Sequence, residues 1–307
     1  MLSIRRKSTI RKLNGHINKY FGRNFAESVS QLRDRIAAIG KIKKVCETMR
    51  NISAARMPRL EQFCLSSRSF CDIIEPIWKN DKEFNDSNNN LFLIVSTNLG
   101  MCGNNNTSLG KHFKQYHIDN NIPEEQKTIL LGSRGTNIIE STKFGKAVTI
   151  VKALHEMETF SIDCAFELTE NLIFPQKFDR FVIFYNYMNS KLTFTTKKII
   201  FPSFDIILKN KEHLDHYELP SSMEDIDHLR NLYEISIAVA LYKAVSEGLA
   251  VEQLMRFNSM QSATKNIEDI LIDMKRTYNS KRQEQITTEI CEINAGRMAV
   301  MLAMEDN

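Results

Sequence analysis

A glycine-rich turn followed by lysine is how a phosphate cradle begins, and Gly103, Gly110 and Lys111 invite the comparison. The cradle needs four residues between its glycines and a Ser or Thr after the lysine, so that backbone amides wrap the phosphate and the hydroxyl meets the metal. Here six residues separate Gly103 from Gly110, and His112 follows the lysine. The preceding turn, Ser96-Thr97-Asn98-Leu99-Gly100-Met101-Cys102-Gly103, also lacks the spacing of a dinucleotide fingerprint. Cys102 has the type of a nucleophile, but no general base is indicated beside it in sequence. None of the seven histidines shows metal-ligand spacing, and no H-E-x-x-H or G-x-S-x-G occurs. Cys46, Cys64, Cys71, Cys102, Cys164 and Cys291 form no C-x-x-C pair, which suits free thiols in a reducing compartment. The expectation is a protein with no catalytic residue, cofactor or metal of its own.

The elements that carry these residues fall into three parts. Leu91-Phe92-Leu93-Ile94-Val95, residues 128–131, 147–151 and 180–185 are short apolar runs, alternating with helical stretches at 107–121, 136–143 and 161–174. That alternation predicts a mostly parallel sheet covered on both faces. A last strand at 193–200 follows Asn189-Ser190 closely and reads as a hairpin partner.

On either side lie long helices. In residues 28–79, Leu32, Ile36, Ile39, Ile42, Val45, Met49 and Ile52 recur at steps of three and four, with Ser28 or Ser30 as a cap and Pro58 expected to kink or interrupt the helix near Ala54 and Ala55. From about 222 to 304 there is no proline; Met260, Ala263, Ile267, Ile270, Met274 and Tyr278 form a second stripe, continued by Ile286, Ile290 and Ile293. Some 80 helical residues would extend about 120 Å, more than a globular core can cover. The two segments are therefore expected to pair as an antiparallel coiled coil, with Ile36, Ile39, Val45, Met49 and Ile52 facing Met260, Ala263, Ile267, Ile270 and Met274. The fold class is α/β plus long helices, with a Rossmann-like domain inserted between the two halves of the coil. The boundaries read as a basic leader at 1–27, a first helix at 28–84, an α/β domain at 85–205 and a second helix at 206–307.

Net charge is only +4, which gives no reason to expect nucleic acid, and no apolar run approaches the roughly 20 residues of a membrane-spanning helix. Charge is unevenly placed. Residues 1–26 carry seven cations and no acid, the pattern of a mitochondrial presequence. Between residues 28 and 61, eight cations, among them Arg33, Lys41, Lys43, Lys44, Arg50 and Arg56, face only three acids.

Three blocks then resemble the gamma-subunit family of F-type ATP synthases. They are Leu32-Arg33-Asp34-Arg35-Ile36 with Lys44–Met49 and Ile52–Arg56; the turn Ser96–Gly103; and Glu252, Arg256, Ser259, Met260, Ala263 and Asn266 with Tyr278-Asn279, Arg282-Gln283, Ile286-Thr287, Glu289-Ile290 and Glu292-Ile293. The chain departs from the family pattern at Asn98-Leu99, which replaces an acid–arginine pair, and at Asn104, Pro58 and Ala238. The resemblance implies a non-catalytic rotor shaft. It would couple proton-driven rotation of the c-ring to ATP synthesis in a hexamer of alpha and beta subunits, with delta and epsilon as further stalk partners. The location implied is the matrix side of the mitochondrial inner membrane, the chain being peripheral to the membrane through the c-ring. It also implies stator contacts at Arg33, Lys41, Lys43, Lys44, Arg50, Arg56, Arg256, Arg282 and Gln283, and an apolar bearing tip at Val300, Met301 and Leu302. The competing readings are a non-rotary coiled-coil scaffold or tether, and a nucleotide-binding enzyme built on residues 91–202.

Overall fold

The computed structural model describes residues 28–78, 89–124, 126–142, 146–151, 160–209 and 223–305. The expected leader at 1–27 lies outside the described residues. Five strands form one sheet: β1 Asn90–Val95, β2 Lys127–Leu131, β3 Lys146–Val151, β4 Arg180–Met188 and β5 Phe194–Pro202. Their order is β3-β2-β1-β4-β5. The first four are mutually parallel, and β5 returns antiparallel to β4 as a hairpin. The helices between them are α1 Val29–Trp78 before the sheet, α2 Asn105–Asp119, α3 Gly135–Thr142 and α4 Ile162–Leu168, with α5 Phe204–Lys209 and α6 Met223–Glu305 after it. A π-helical turn, Thr169–Ile173, continues α4, and α5 is an element that the sequence pattern did not indicate.

The chain divides into two compact units, one of Glu47–Ser262 and one of Met1–Cys46 with Ala263–Asn307. In the first, both faces of the sheet are buried, and for that reason β1 reads as an unbroken apolar run. Phe92, Ile94, Leu130, Val182 and Phe184 meet Leu109, Phe113 and Tyr116 of α2 and Ile138 of α3. On the opposite face, Leu91, Leu93, Ile129, Leu131, Phe181 and Ile183 share a core with Cys71 and Trp78 of α1 and Tyr233, Ile237, Leu241 and Val245 of α6. Gly248 lets α6 approach β1 closely, since a Cβ there would stand 2.9 Å from Val95 Cγ1. At Gly132, φ is +99° and a Cβ would fall 2.3 Å from the Ser96 carbonyl oxygen, so that tight turn after β2 requires glycine.

Polar contacts set the register of α1 on α6 within this unit. Ser67 Oγ lies 2.6 Å from Ser246 Oγ, Lys243 Nζ 3.0 Å from Asp72, and Trp78 Nε1 donates to Ser236 Oγ at 2.6 Å. Rising numbers on one helix meet falling numbers on the other, so the helices are antiparallel.

Helix α1 starts with a reciprocal cap: Gln31 N–H donates to Ser28 Oγ, and Ser28 N–H donates to Gln31 Oε1. It then runs unbroken through Pro58, contrary to the expected interruption. Pro58 and Ala54 are both exposed, so water can serve the carbonyl that proline leaves without a donor.

Along α1 one series of buried and half-buried positions steps alternately by four and three. In the unit with Ala263–Asn307 they are Leu32, Ile36, Ile39, Lys43 and Cys46, and they continue in the other unit through Arg50, Ser53, Met57, Leu60, Cys64, Ser67 and Cys71 to Ile74 and Trp78. On α6 the same repeat runs through Thr264, Ile267, Leu271, Met274, Tyr278 and Lys281. Lys43 Nζ bridges to Glu268 at 2.9 Å. This is the 3.5-residue repeat of a coiled coil.

The apolar stripe read from sequence departs from this seam at Ile42, Val45, Ile52 and Ile270, which are 53%, 55%, 44% and 48% exposed. Each lies one residue from a seam position, at Lys43, Cys46, Ser53 and Leu271. Ile36, Ile39, Met49, Ala263, Ile267 and Met274 are half-buried and Met260 is buried.

Candidate functional site

In a doubly wound sheet, ligands enter the crevice at the carboxyl ends of the strands where the connections change direction. Here that point lies between β1 and β4, and the chain's own side chains fill it. Asn186 Nδ2 donates to the Asn105 carbonyl at 3.0 Å and also bonds the Asn105 side chain. Thr196 Oγ1 donates to Asn186 Oδ1 at 2.6 Å, and Ser108 Oγ lies 2.9 Å from Thr196 Oγ1. Both asparagines are buried.

The turn after β1 is equally self-satisfied. Ser96 N–H and Oγ both donate to the Leu131 carbonyl, and Arg134 N–H donates to the Thr97 carbonyl at 3.0 Å. Ser133 N–H donates to Asn98 Oδ1 at 2.9 Å, and Ser133 Oγ donates to the Asn98 carbonyl. Asn98 therefore supplies the acceptor that a carboxylate at this position would supply, which removes one consequence of the departure noted there. The amides of Ser133, Arg134 and Gly135, which lead into α3, are all bonded within the protein.

Cys102 is 4% exposed and lies 3.6 Å from Thr97 Oγ1. Burial pushes its pKa up, so the thiol stays protonated rather than forming the thiolate that attack needs. Among the described residues no group of His, Cys, Asp and Glu has the arrangement of a metal site.

Surfaces and charges remain. An open groove of about 1070 Å³ lies between α2, α3 and the turn after β1. Leu99, Met101, Lys111, Lys114 and Arg134 line it, and among the described residues no acid does. The sequence reading overlooked these three cations because they belong to none of the three blocks.

The expected stator residues are placed unevenly. Arg33, Lys41, Lys44, Arg56, Arg282 and Gln283 are exposed, whereas Lys43 is half-buried in its bridge to Glu268, and Arg50 is half-buried with its guanidinium 3.3 Å from Asn51 Oδ1. Arg256 is a correction. It is 4% exposed and paired with Glu252 one turn before it, so it is an internal charge rather than a contact surface. The i,i+4 spacing of Glu252 and Arg256 was the signal for that pairing.

Beyond Lys281 every described side chain of α6 up to Met301 is exposed, including Ile286 (43%), Ile290 (53%), Ile293 (71%) and Met298 (70%). Of the expected tip, Met301 is 54% exposed, and the side chains of Val300 and Leu302 lie outside the described residues. No helix is long and apolar enough to cross a membrane among the described residues.

Long paired helices before and after an α/β domain whose crevice is filled by its own side chains are the class of fold seen here. Comparison with known proteins agrees. The family model described as ATP synthase matches residues 28–300, and the chain belongs to that family, in which its relatives are gamma chains. It is 28% identical over 289 residues to the ATP synthase gamma chain of Buchnera aphidicola, covering 89% of this chain and 98% of that one. To the mitochondrial gamma subunit of Ipomoea batatas it is 24% identical over 281 residues, covering 89% and 85%. Among solved structures it resembles a chain of the Euglena gracilis mitochondrial ATP synthase, in an OSCP/F1/c-ring assembly, with a TM-score of 0.73 at 17% identity, covering 91% of this chain and 96% of that one.

Proposed function

We propose that this chain is the central rotor shaft of an F-type ATP synthase, turning with a c-ring and acting on alpha and beta subunits without catalytic groups of its own. The observation that carries the reading is the end of α6, which no described residue buries: Ile286, Ile290 and Ile293 recur there at helical spacing and are exposed. Large exposed apolar side chains in a row mark a surface that a partner covers. In the rotor reading, the partner is the sleeve formed by the alpha and beta subunits, and the segment around Met301 is the bearing. An apolar sleeve suits rotation, because apolar contact is non-directional and favours no single angle.

On α1, Ile42 and Val45 are exposed beside Lys41 and Lys44, and Ile52 is exposed one turn before Arg56. That mixed apolar and cationic face fits the same neighbours where they present acids. Exposed ion pairs contribute only about 0–1 kcal/mol each, so they can exchange partners as the shaft turns. The shaft acts by contacting the catalytic subunits differently at each angle, which changes the relative energies of their conformations. Delta and epsilon complete the central stalk in this reading. The place of work is the matrix side of the mitochondrial inner membrane, a reading supported by the acid-free basic segment 1–26 and by the mitochondrial relatives.

Co-expression with alpha and beta subunits tests the reading. The expected result is co-purification as one complex, with ATP hydrolysis that drives rotation of a bead fixed to this chain. A chain that leaves the alpha–beta complex unbound, or binds it without rotating, overturns it.

A further inference from the structure

Strand β4 is longer than its neighbour. Its pairing with β1 ends at Ile94 and Phe184, while its pairing with β5 continues to Met188 and Phe194. At Met188, which is 5% exposed, a strand that has lost a neighbour needs other partners for its backbone groups. They come from the two long helices. Met188 N–H donates to Glu247 Oε2 of α6 at 2.9 Å, and Arg68 Nη2 of α1 donates to the Met188 carbonyl at 2.6 Å.

These two side chains also hold each other. Arg68 Nε lies 2.5 Å from Glu247 Oε1, and Nη2 lies 3.0 Å from Oε2, a bidentate pair. The Glu247 side chain is fully buried, and the Arg68 guanidinium sits 4.1 Å from the centre of the Tyr187 ring. Around the pair, Met188 packs with Cys64, Ala250, Val251 and Leu254. Farther out on the hairpin, Lys191 Nζ meets Glu61 of α1 at 3.2 Å.

We infer that Arg68 and Glu247 together act as a surrogate strand, offering one acceptor and one donor to Met188 as a neighbouring strand would, and that this junction fixes the β4–β5 hairpin on the helix pair. The remaining contact between sheet and helices is mostly apolar, and apolar contact resists separation better than sliding. Hydrogen bonds are directional and define a single register. Resting on the rotor reading, the inference is that a load applied to the sheet passes to α1 and α6 through these bonds. Arg68 and Glu247 are thus positioning residues for coupling.

The variant Arg68→Met with Glu247→Leu removes the bonds while keeping apolar bulk, a replacement that buried ion pairs commonly tolerate. Glu247→Gln keeps the shape, loses the charge and turns one of the two acceptor oxygens into a donor. Hydrogen exchange on the purified chain is expected to speed up at the Met188 amide by about tenfold in the double variant and by less in Glu247→Gln. In the assembled complex, proton pumping per ATP hydrolysed falls severalfold while hydrolysis itself is retained. Unchanged exchange at Met188 in both variants overturns the surrogate strand. Faster exchange with an unaltered pumping ratio overturns its role in coupling. If the unmodified chain fails to assemble with alpha and beta subunits, the rotor reading falls, while the exchange measurement still decides the surrogate strand.

Discussion

Replacing Gly248 by alanine sets two known effects against each other. Alanine is better than glycine inside a helix by about 1 kcal/mol. A Cβ at this position, however, would stand 2.9 Å from Val95 Cγ1, closer than carbon atoms approach. Val95 is 6% exposed in the central strand, and its branched side chain has little rotational freedom to withdraw. Overpacking of this kind costs about 1–3 kcal/mol, so the net effect is a loss of about 1 kcal/mol. In a Val95→Ala background the obstructing methyl is gone, and the same change should stabilise by about 1 kcal/mol from propensity alone. The difference, about 2 kcal/mol, is the coupling energy of the pair, read from urea unfolding of the four proteins followed by circular dichroism. If Gly248→Ala stabilises equally in both backgrounds, α6 does not approach β1 as described.

Pro58→Ala should stabilise the chain by about 1–3 kcal/mol in the same assay, because it restores a helical hydrogen bond on an exposed face; a loss of stability would mean that the helix depends on the proline. Cysteines at Ile39 and Leu271 should cross-link rapidly, since the Lys43–Glu268 bridge places these seam positions opposite each other, whereas cysteines at Val45 and Ile270 should not; the reverse result would restore the stripe read from sequence. Burial holds the His117 imidazole below its ordinary pKa, with Nδ1 3.0 Å from the Phe113 carbonyl. As pH falls through about 6.5 the unfolded chain therefore takes up its proton first, and stability declines until the lower folded-state pKa is reached. In His117→Gln that part of the stability–pH curve should flatten by up to about 1.4 kcal/mol per pH unit, and an unchanged slope would refute the assignment.

The strands were legible because burial on both faces leaves no room for polar residues, and a run such as Leu91–Val95 has no other simple explanation. The coil seam was harder. Sequence reasoning selects the most apolar residue in each turn, and so took Val45 over Cys46 and Ile52 over Ser53. The helices select instead by the 3.5-residue repeat and by size, and small Cys46, Ser53, Ser67 and Ser246 let them approach. Lys43 enters the seam by its stem and meets Glu268 with its charge, which a hydropathy reading cannot see. Arg256 was taken for a surface residue although Glu252 stands in the same motif, because the i,i+4 pairing of the two was not drawn from their spacing. Arg68 and Glu247 were missed because 179 residues separate them, and no local pattern links such a pair.

The pairing of α1 with α6 also determines when the protein can finish folding. Ser67 and Ser246, which touch in the native state, are 179 positions apart. During synthesis at about 5–20 residues per second, α1 leaves the ribosome many seconds before its partner exists. An isolated helix with a weak apolar stripe is only marginally stable in water. The βαβ units between the two helices close shorter loops, as where Leu91 pairs with Lys127 and Lys127 with Lys146, whereas the loop between the helices is entropically costly to close until the sheet has brought its ends together. The nascent first helix, with Ile42, Val45 and Ile52 uncovered, is therefore the part of the chain most in need of a chaperone, and the last helix to be made completes the fold.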